Sequence, residues 1–234
     1  MKKSNRLLLY VAIAFVAGVL VTDGLLAKAY AEINFSDPYK NYQDVVVPSF
    51  KALHIKGGNG YSIQINQGKD LNVKVMNSRK GFLKTSSNGD TLFIEFAVAN
   101  APRPSATDKL PVGLIIACPD IVYLNLSGTN NQVGPMKLDS MHIVQDANTL
   151  TVFKQLDIDY LFLDGRQKSW FDFNEKNVIQ QLKIQASADA GINLQGIVFN
   201  AISPLLRDNA KIVFFKQSLK NANNSGYAGR DSIR

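Results

Sequence analysis

Leu53 and Ile55, then Tyr61, Ile63 and Ile65, then Leu71, Val73 and Val75 alternate with polar residues in three short runs. A period of two is that of a strand with one buried face, and Gly57-Gly-Asn-Gly60 and Gln67-Gly-Lys-Asp70 break the pattern into hairpin-like pieces. Thr91–Phe96 continues it after the turn Ser86-Ser-Asn-Gly-Asp90, and residues 99–111 form a loop by composition. No helical stripe occurs beyond the first thirty residues, so the expected fold class is all-β.

From Leu124 onward, apolar-x-apolar triplets recur: Leu124-Asn-Leu126, Met141-His-Ile143, Leu161-Phe-Leu163, Leu182-Lys-Ile184 and Ile197-Val-Phe199. Their starts lie 17, 20, 21 and 15 positions apart, and small or turn residues come after most of them. One strand signal per unit of about twenty residues is the pattern of a parallel β-solenoid, in which each turn of chain buries its apolar side against the next. The alternative is a β-sandwich with strands at similar spacing. In the solenoid, Leu126, Leu163 and Ile184 occupy equivalent inward positions, Asn125 and Lys183 point outward, and the small residues after the triplets make the corners.

The opening segment differs. Lys2, Lys3 and Arg6 precede an uncharged, largely apolar run from Leu7 to Val21, and Ala29-Tyr30-Ala31 offers small residues for cleavage. That order describes a signal peptide over residues 1–31, or an uncleaved anchor in the inner membrane over residues 7–27, and in both cases the chain from Glu32 onward is exported. Residues 32–49 are polar and aromatic with two prolines and read as a linker or an edge segment. A β-solenoid domain over 50–215 and a disordered tail over 216–234, rich in Asn, Gly and Ser, complete the expected organisation.

The segment PSFKALHIKGGNGYSIQINQGKDLNVKV, with GDTLFIEF after it and the later LNLSG and LFLDG units, resembles the GIN-domain family, the auto-transporter adhesin head domains of bacterial envelopes. The resemblance covers roughly residues 35–215. It implies a right-handed parallel β-helix, displayed on the cell envelope, with no established catalytic activity, and it assigns no functional residues here.

Charge adds little to this picture. The chain carries a net +7, yet residues 32–215 hold 18 Lys and Arg against 17 Asp and Glu, so the excess sits at the two ends and the domain lacks the basic face that nucleic acid requires. The single cysteine, Cys118, lies in an apolar run and reads as a small buried hydrophobe. His54 and His142 fall opposite apolar neighbours in strands and read as solvent-facing side chains, with no Cys near enough to complete a zinc set. No catalytic, cofactor or metal residues are therefore expected.

Two features qualify as a ligand surface. Asp157 and Asp159 share one face of a strand, as a carboxylate pair or a Ca²⁺ site would need, with Asp164 and Asp172 nearby, although Lys154, Arg166 and Lys168 make a solvated ionic face the simpler reading. Trp170, Phe171 and Phe173 come after the polar turn DGRQKS, where they could meet sugar rings or a protein, or else cap the fold. Asp139-Ser-Met141 and Asp231-Ser-Ile233 match a short O-glycosylation pattern that also arises by chance. The expected activity is non-enzymatic: adhesion, assembly or binding of an envelope protein or glycan, with a carbohydrate-active β-helix as the alternative.

Overall fold

The computed structural model describes residues 3–31, 38–58, 60–96, 110–174 and 176–214. The 216–234 tail, most of the 99–111 loop and residues 32–37 of the linker lie outside the described residues. The chain divides into two compact units, residues 1–41 and 42–234.

The first unit contains α1 (Lys3–Ala31), in which the many Leu and Ala residues favour helix and no proline interrupts it. Within it Leu9–Ala31 has a mean hydropathy of 2.1 and buries none of its length against protein. It has the length and composition of a signal sequence or a membrane anchor.

The second unit is built of strands: β1 (Tyr42–Asp44), β2 (Ala52–Lys56), β3 (Ser62–Gln67), β4 (Asn72–Met76), β5 (Leu83–Asn88), β6 (Thr91–Phe96), β7 (Val112–Cys118), β8 (Tyr123–Ser127), β9 (Asn130–Val133), β10 (Met136–Asp146), β11 (Leu150–Phe153), β12 (Leu156–Gly165), β13 (Trp170–Phe173), β14 (Asn177–Ala186), β15 (Gly191–Asn193), β16 (Ile197–Leu206) and β17 (Lys211–Val213). They form two mixed sheets. One has the order β1-β4-β7-β3-β9-β11-β13-β15-β17 and the other β16-β14-β12-β10-β8-β2-β6-β5. Neither closes into a barrel, and the apolar faces of both contribute to one core.

From β8 onward the chain alternates between the sheets, and each strand pairs in parallel with the one a full pass later. Tyr123 stands opposite His142, Met141 opposite Leu161, Leu161 opposite Leu182 and Leu182 opposite Ile202. In the other sheet Asn130, Leu150, Trp170, Gly191 and Lys211 fall in register. The offsets of 19 to 21 residues agree with the period of about twenty and with the triplet intervals of 20 and 21, but not with those of 17 and 15. At the other end of each sheet the pairing turns antiparallel, through β1, β4 and β7 in one and β5 and β6 in the other. The three-residue β1 at that edge offers little template for a further strand. It is drawn from the segment that composition assigned to the linker.

Several expectations are corrected. β2 and β3 do not form a hairpin; they belong to different sheets, because Gly57 and Gly58 at φ 83° and 92° redirect the chain. A short 3₁₀ segment, Asn77–Phe82, joins β4 to β5 where no helical turn was expected. Leu126 is buried, but its register partner is Gln145, and the position equivalent to Leu163 and Ile184 belongs to Ile143 and Leu124. The Ile197 and Phe199 triplet likewise pairs with Asn177 and Ile179, one segment before Leu182 and Ile184. The long strands each carry two apolar segments, so matching triplets by composition alone slips between them.

Of the small residues after the triplets, Gly128 at φ 61° does make a corner, between β8 and β9, whereas those of the later triplets do not. Gly165 and Ala186 are inward positions at strand ends, and a side chain on Gly165 would come within 2.8 Å of the Phe171 ring. The corners come just after them, at Ala147-Asn148, Gln167-Lys168, Ala188-Asp189 and Asp208-Asn209, where both residues lie in the left-handed region at φ 48° to 62°. Thr149, Ser169, Ala190 and Ala210 close these turns by donating to the carbonyls of Asp146, Arg166, Ser187 and Arg207. Asn148, Lys168 and Asp189 donate instead to the carbonyls of Gln167, Ala188 and Asp208 one pass later. Left-handed backbone costs a side-chain-bearing residue about 1–2 kcal/mol, partly offset in glycine by its greater unfolded-state freedom. Lys168→Gly is accordingly expected to raise stability by about 0.5–1 kcal/mol in thermal melts. A loss of stability would mean that the Lys168 side chain contributes more than its backbone strain costs.

Candidate functional site

Outward positions of the eight-stranded sheet bring together rings that are far apart in sequence. Phe93, His54, Tyr123, His142 and Phe162 form a row across β6, β2, β8, β10 and β12, with successive centroids 4.8, 5.5, 5.1 and 4.4 Å apart. His142 stacks on Phe162 at 15°, and the Lys183 ammonium lies 4.9 Å from the centroid of the same ring. Opposite-strand contacts of this kind arise from the pleat, which brings every second residue of neighbouring strands to the same face.

Burial among these rings lowers the pKa of both histidines. For His142 desolvation is the largest cause, Asp164 opposes it, and Arg166 and Lys183 add to it; for His54 the cause is desolvation. His142 Nε2 is also buried without a hydrogen-bond partner. A histidine whose folded pKa lies below its unfolded value contributes stability that is fully present above that unfolded value, 6.5, and is lost as pH falls through the folded one. His142→Phe, which preserves the stack on Phe162, is expected to reduce the drop in urea midpoint between pH 7.5 and pH 5, a test that fails if the drop is unchanged.

Beside the row, towards β5, lies a trough of about 610 Å³. Phe93 and the His54 ring form its wall. Along it run Lys84, Glu95, Lys56, Ser127 and Asp146, each opposite the next on a neighbouring strand. Asn125, next to His54 in register, lies between the two rows.

The residues singled out from sequence do not converge. Asp157 pairs with Lys137 at 3.1 Å, and Asp159 is exposed where β12 bends away from its ladder partners. Trp170 is half-buried on the other sheet, its ring lying where a side chain on Gly191 would be and 5.4 Å from Lys211 Nζ. Phe171 and Phe173 are fully buried with Phe153, whose ring lies 4.5 Å from that of Phe173, so they belong to the core and offer no ligand surface. Alternation along β13 put one set of rings inside, and these two are that set. Asp164 is held by Arg166, and Asp172 accepts from Asn193 at 2.8 Å.

Around Asp157 a second depression of about 710 Å³ is lined by Gln67, Lys69, Gln155 and neighbouring residues. Its polar groups are largely engaged with one another: Gln67 donates to the carbonyls of Pro119 and Lys137 and accepts from the Lys137 amide, at 2.8–3.1 Å. Cys118 is buried, and burial, then the nearby Asp120, pushes its thiol up to about 12, a protonated and unreactive state. Among the described residues no group of three or more His, Cys, Asp or Glu side chains could hold a metal ion.

No family model and no curated protein matches the chain. Among solved structures it resembles a "putative adhesin" from Bacteroides fragilis, at 13% identity and a TM-score of 0.58 over 73% of this chain and 78% of the other. A "putative adhesin" from Parabacteroides merdae is 11% identical with a TM-score of 0.46, over 73% and 79%. A "putative lipid binding protein" from Parabacteroides distasonis is 11% identical with a TM-score of 0.36, over 73% and 94%. At this identity the first likeness is one of fold, and the chain shares a two-sheet β architecture with the Bacteroides protein.

Proposed function

We propose that the chain is an exported, membrane-tethered binding protein of the bacterial envelope, a GIN-domain β-helix that acts through its outer surface and not through catalysis. The observation that carries this reading is the open trough on an outer sheet face, walled by rings and lined by polar side chains. The parallel ladders at offsets of 19 to 21 residues and the corner repeated after every long strand support the β-helix. A right-handed coil is the hand expected from the rule for parallel crossovers. α1, which runs unbroken through Ala31, supplies a span of about 34 Å over Leu9–Ala31, enough to cross a hydrocarbon core and retain the domain. The likeness to the Bacteroides fragilis protein described as an adhesin agrees with display at a surface.

Two measurements test this. Replacing Ala29 and Ala31 by tryptophan is expected to leave the size of the product in envelope fractions unchanged; a larger product than that of the parent chain would show that a signal peptidase normally removes the tether. Liposomes carrying the full chain should be retained on immobilised envelope material more than empty liposomes, without release of soluble sugar. Equal retention would remove the binding reading, and sugar release would replace it with an enzymatic one.

A further inference from the structure

The trough on the eight-stranded sheet combines features that a ligand of one chemical class satisfies together. Its wall is Phe93, still 37% exposed, and the ring of His54, which presents an apolar surface with no directional demand. Its floor and far side alternate cationic donors and anionic acceptors, Lys84, Glu95, Lys56 and Asp146, with the amide of Asn125 and the hydroxyls of Thr85, Ser86 and Ser127 among them. No hydrogen bond or ion pair to another described residue engages the side-chain end groups of Lys56, Lys84, Glu95, Asn125 or Ser127. This sets the trough apart from the depression at Asp157, whose polar groups satisfy one another.

The charges lining it balance, Lys56 and Lys84 against Glu95 and Asp146, with His54 kept towards its neutral form by burial. A balanced site gives no long-range attraction to a polyanion or a polycation. A lipid chain would need an enclosed apolar cavity, whereas this trough is open and mixes apolar surface from Phe93, His54, Ile55 and Ile94 with charged and hydroxyl side chains. An extended peptide would add to a strand edge, while these side chains project from the face of the sheet. What remains is a ligand with an apolar C–H face on one side and closely spaced hydroxyls, each both donor and acceptor, on its rim.

Resting on the reading of the chain as a binding protein, we propose that this trough is a glycan site that holds a short stretch of an uncharged oligosaccharide, with a sugar face against Phe93 and its hydroxyls on Asn125, Lys56 and Glu95. The volume of about 610 Å³ falls within the usual range for ligand sites. A shallow site of this kind binds weakly by itself, and many tethered copies on one surface convert weak contacts into avidity.

The test uses the full chain in micelles of a detergent without a sugar headgroup. Cellotetraose, chitotetraose and mannotetraose serve as neutral probes, tetragalacturonate as an anionic one and a Gly-Ser octapeptide as a peptide control, with saturation-transfer NMR and calorimetry as readouts. At least one neutral tetrasaccharide should bind, and Phe93→Ala and Asn125→Ala should each weaken it tenfold or more with thermal midpoints unchanged. Trp170→Ala, on the other sheet, should leave binding unaltered. The proposal is overturned if no neutral probe binds, if both trough variants bind as the parent does, or if tetragalacturonate or the peptide binds in their place. Liposome retention separates this failure from that of the wider reading: retention that survives both trough substitutions keeps a binding protein and removes its glycan site, whereas no retention by the parent chain removes the binding reading itself.

Discussion

Gly134→Ala should destabilise the β unit by about 3 kcal/mol or more, lowering the thermal midpoint by roughly 10 °C. Gly134 occupies the tight connection between β9 and β10, where its amide donates to the Ile65 carbonyl at 2.9 Å. Its φ is 108°, outside what an L side chain adopts without strain. A methyl group there would sit 1.9 Å from the Lys154 carbonyl oxygen, which belongs to the backbone of the next pass and cannot swing aside as a side-chain tip could. Relief would require separating two hydrogen-bonded passes. Gly81→Ala is the control, since nothing lies within 4 Å of its added carbon and its φ is unexceptional. A midpoint for Gly134→Ala within a degree or two of the Gly81→Ala value would mean that the connection relaxes and that the close approach is unimportant.

The period of two along Leu53–Ile55 and Ile63–Ile65 was legible because one face of each strand is buried, and the structure buries these four side chains. Partners were not legible, because alternation says which residues face inward and nothing about which strand lies alongside. Gly57 and Gly58 looked like hairpin residues, yet glycine supplies positive φ equally well to a turn back and to a turn towards a second sheet. The spacing of about twenty residues was visible, whereas its phase was not, since each long strand offers two apolar segments and Leu126 matches the wrong one of them by composition. The corner at Gly128 was legible as glycine, while the four later ones escaped notice because they use Ala, Gln, Lys, Asn and Asp in left-handed backbone where glycine would be expected.

The candidate site was hidden for the same reason. Phe93, His54, Tyr123, His142 and Phe162 span more than a hundred residues of sequence, and only the register, with β2 inserted between β6 and β8, makes them neighbours. The histidines do take outward positions, but they were read as solvent-facing and are instead half-buried between other rings, an arrangement that an isolated outward histidine does not signal. Conversely, Trp170, Phe171 and Phe173 are adjacent in sequence and so drew attention, although adjacency in a strand sends alternate rings to opposite faces. The signal that could have found the row is an aromatic or histidine at the polar phase of several strands, read only after the strands are aligned.

Truncation of the central stack tests that alignment. Leu163 is fully buried, with Ile143 on one side and Ile184 on the other in register, so Leu163→Ala should cost about 2–5 kcal/mol in denaturant unfolding. Lys183, beside Ile184 in β14, points outward over Phe162, and Lys183→Ala should cost about 0.5 kcal/mol, the range of surface substitutions. The pairing itself is read by double substitution. Leu163→Ala combined with Ile184→Ala removes two side chains that touch across adjacent strands, and their effects should depart from additivity by about 0.5 kcal/mol or more. Leu163→Ala combined with Val75→Ala joins residues in different sheets at sites several strands apart, and those effects should add. Coupling in the second pair and additivity in the first would place Leu163 elsewhere in the core than opposite Ile184. The outward row would lose its alignment with it, because Phe162 and Lys183 occupy the adjoining positions of the same two strands.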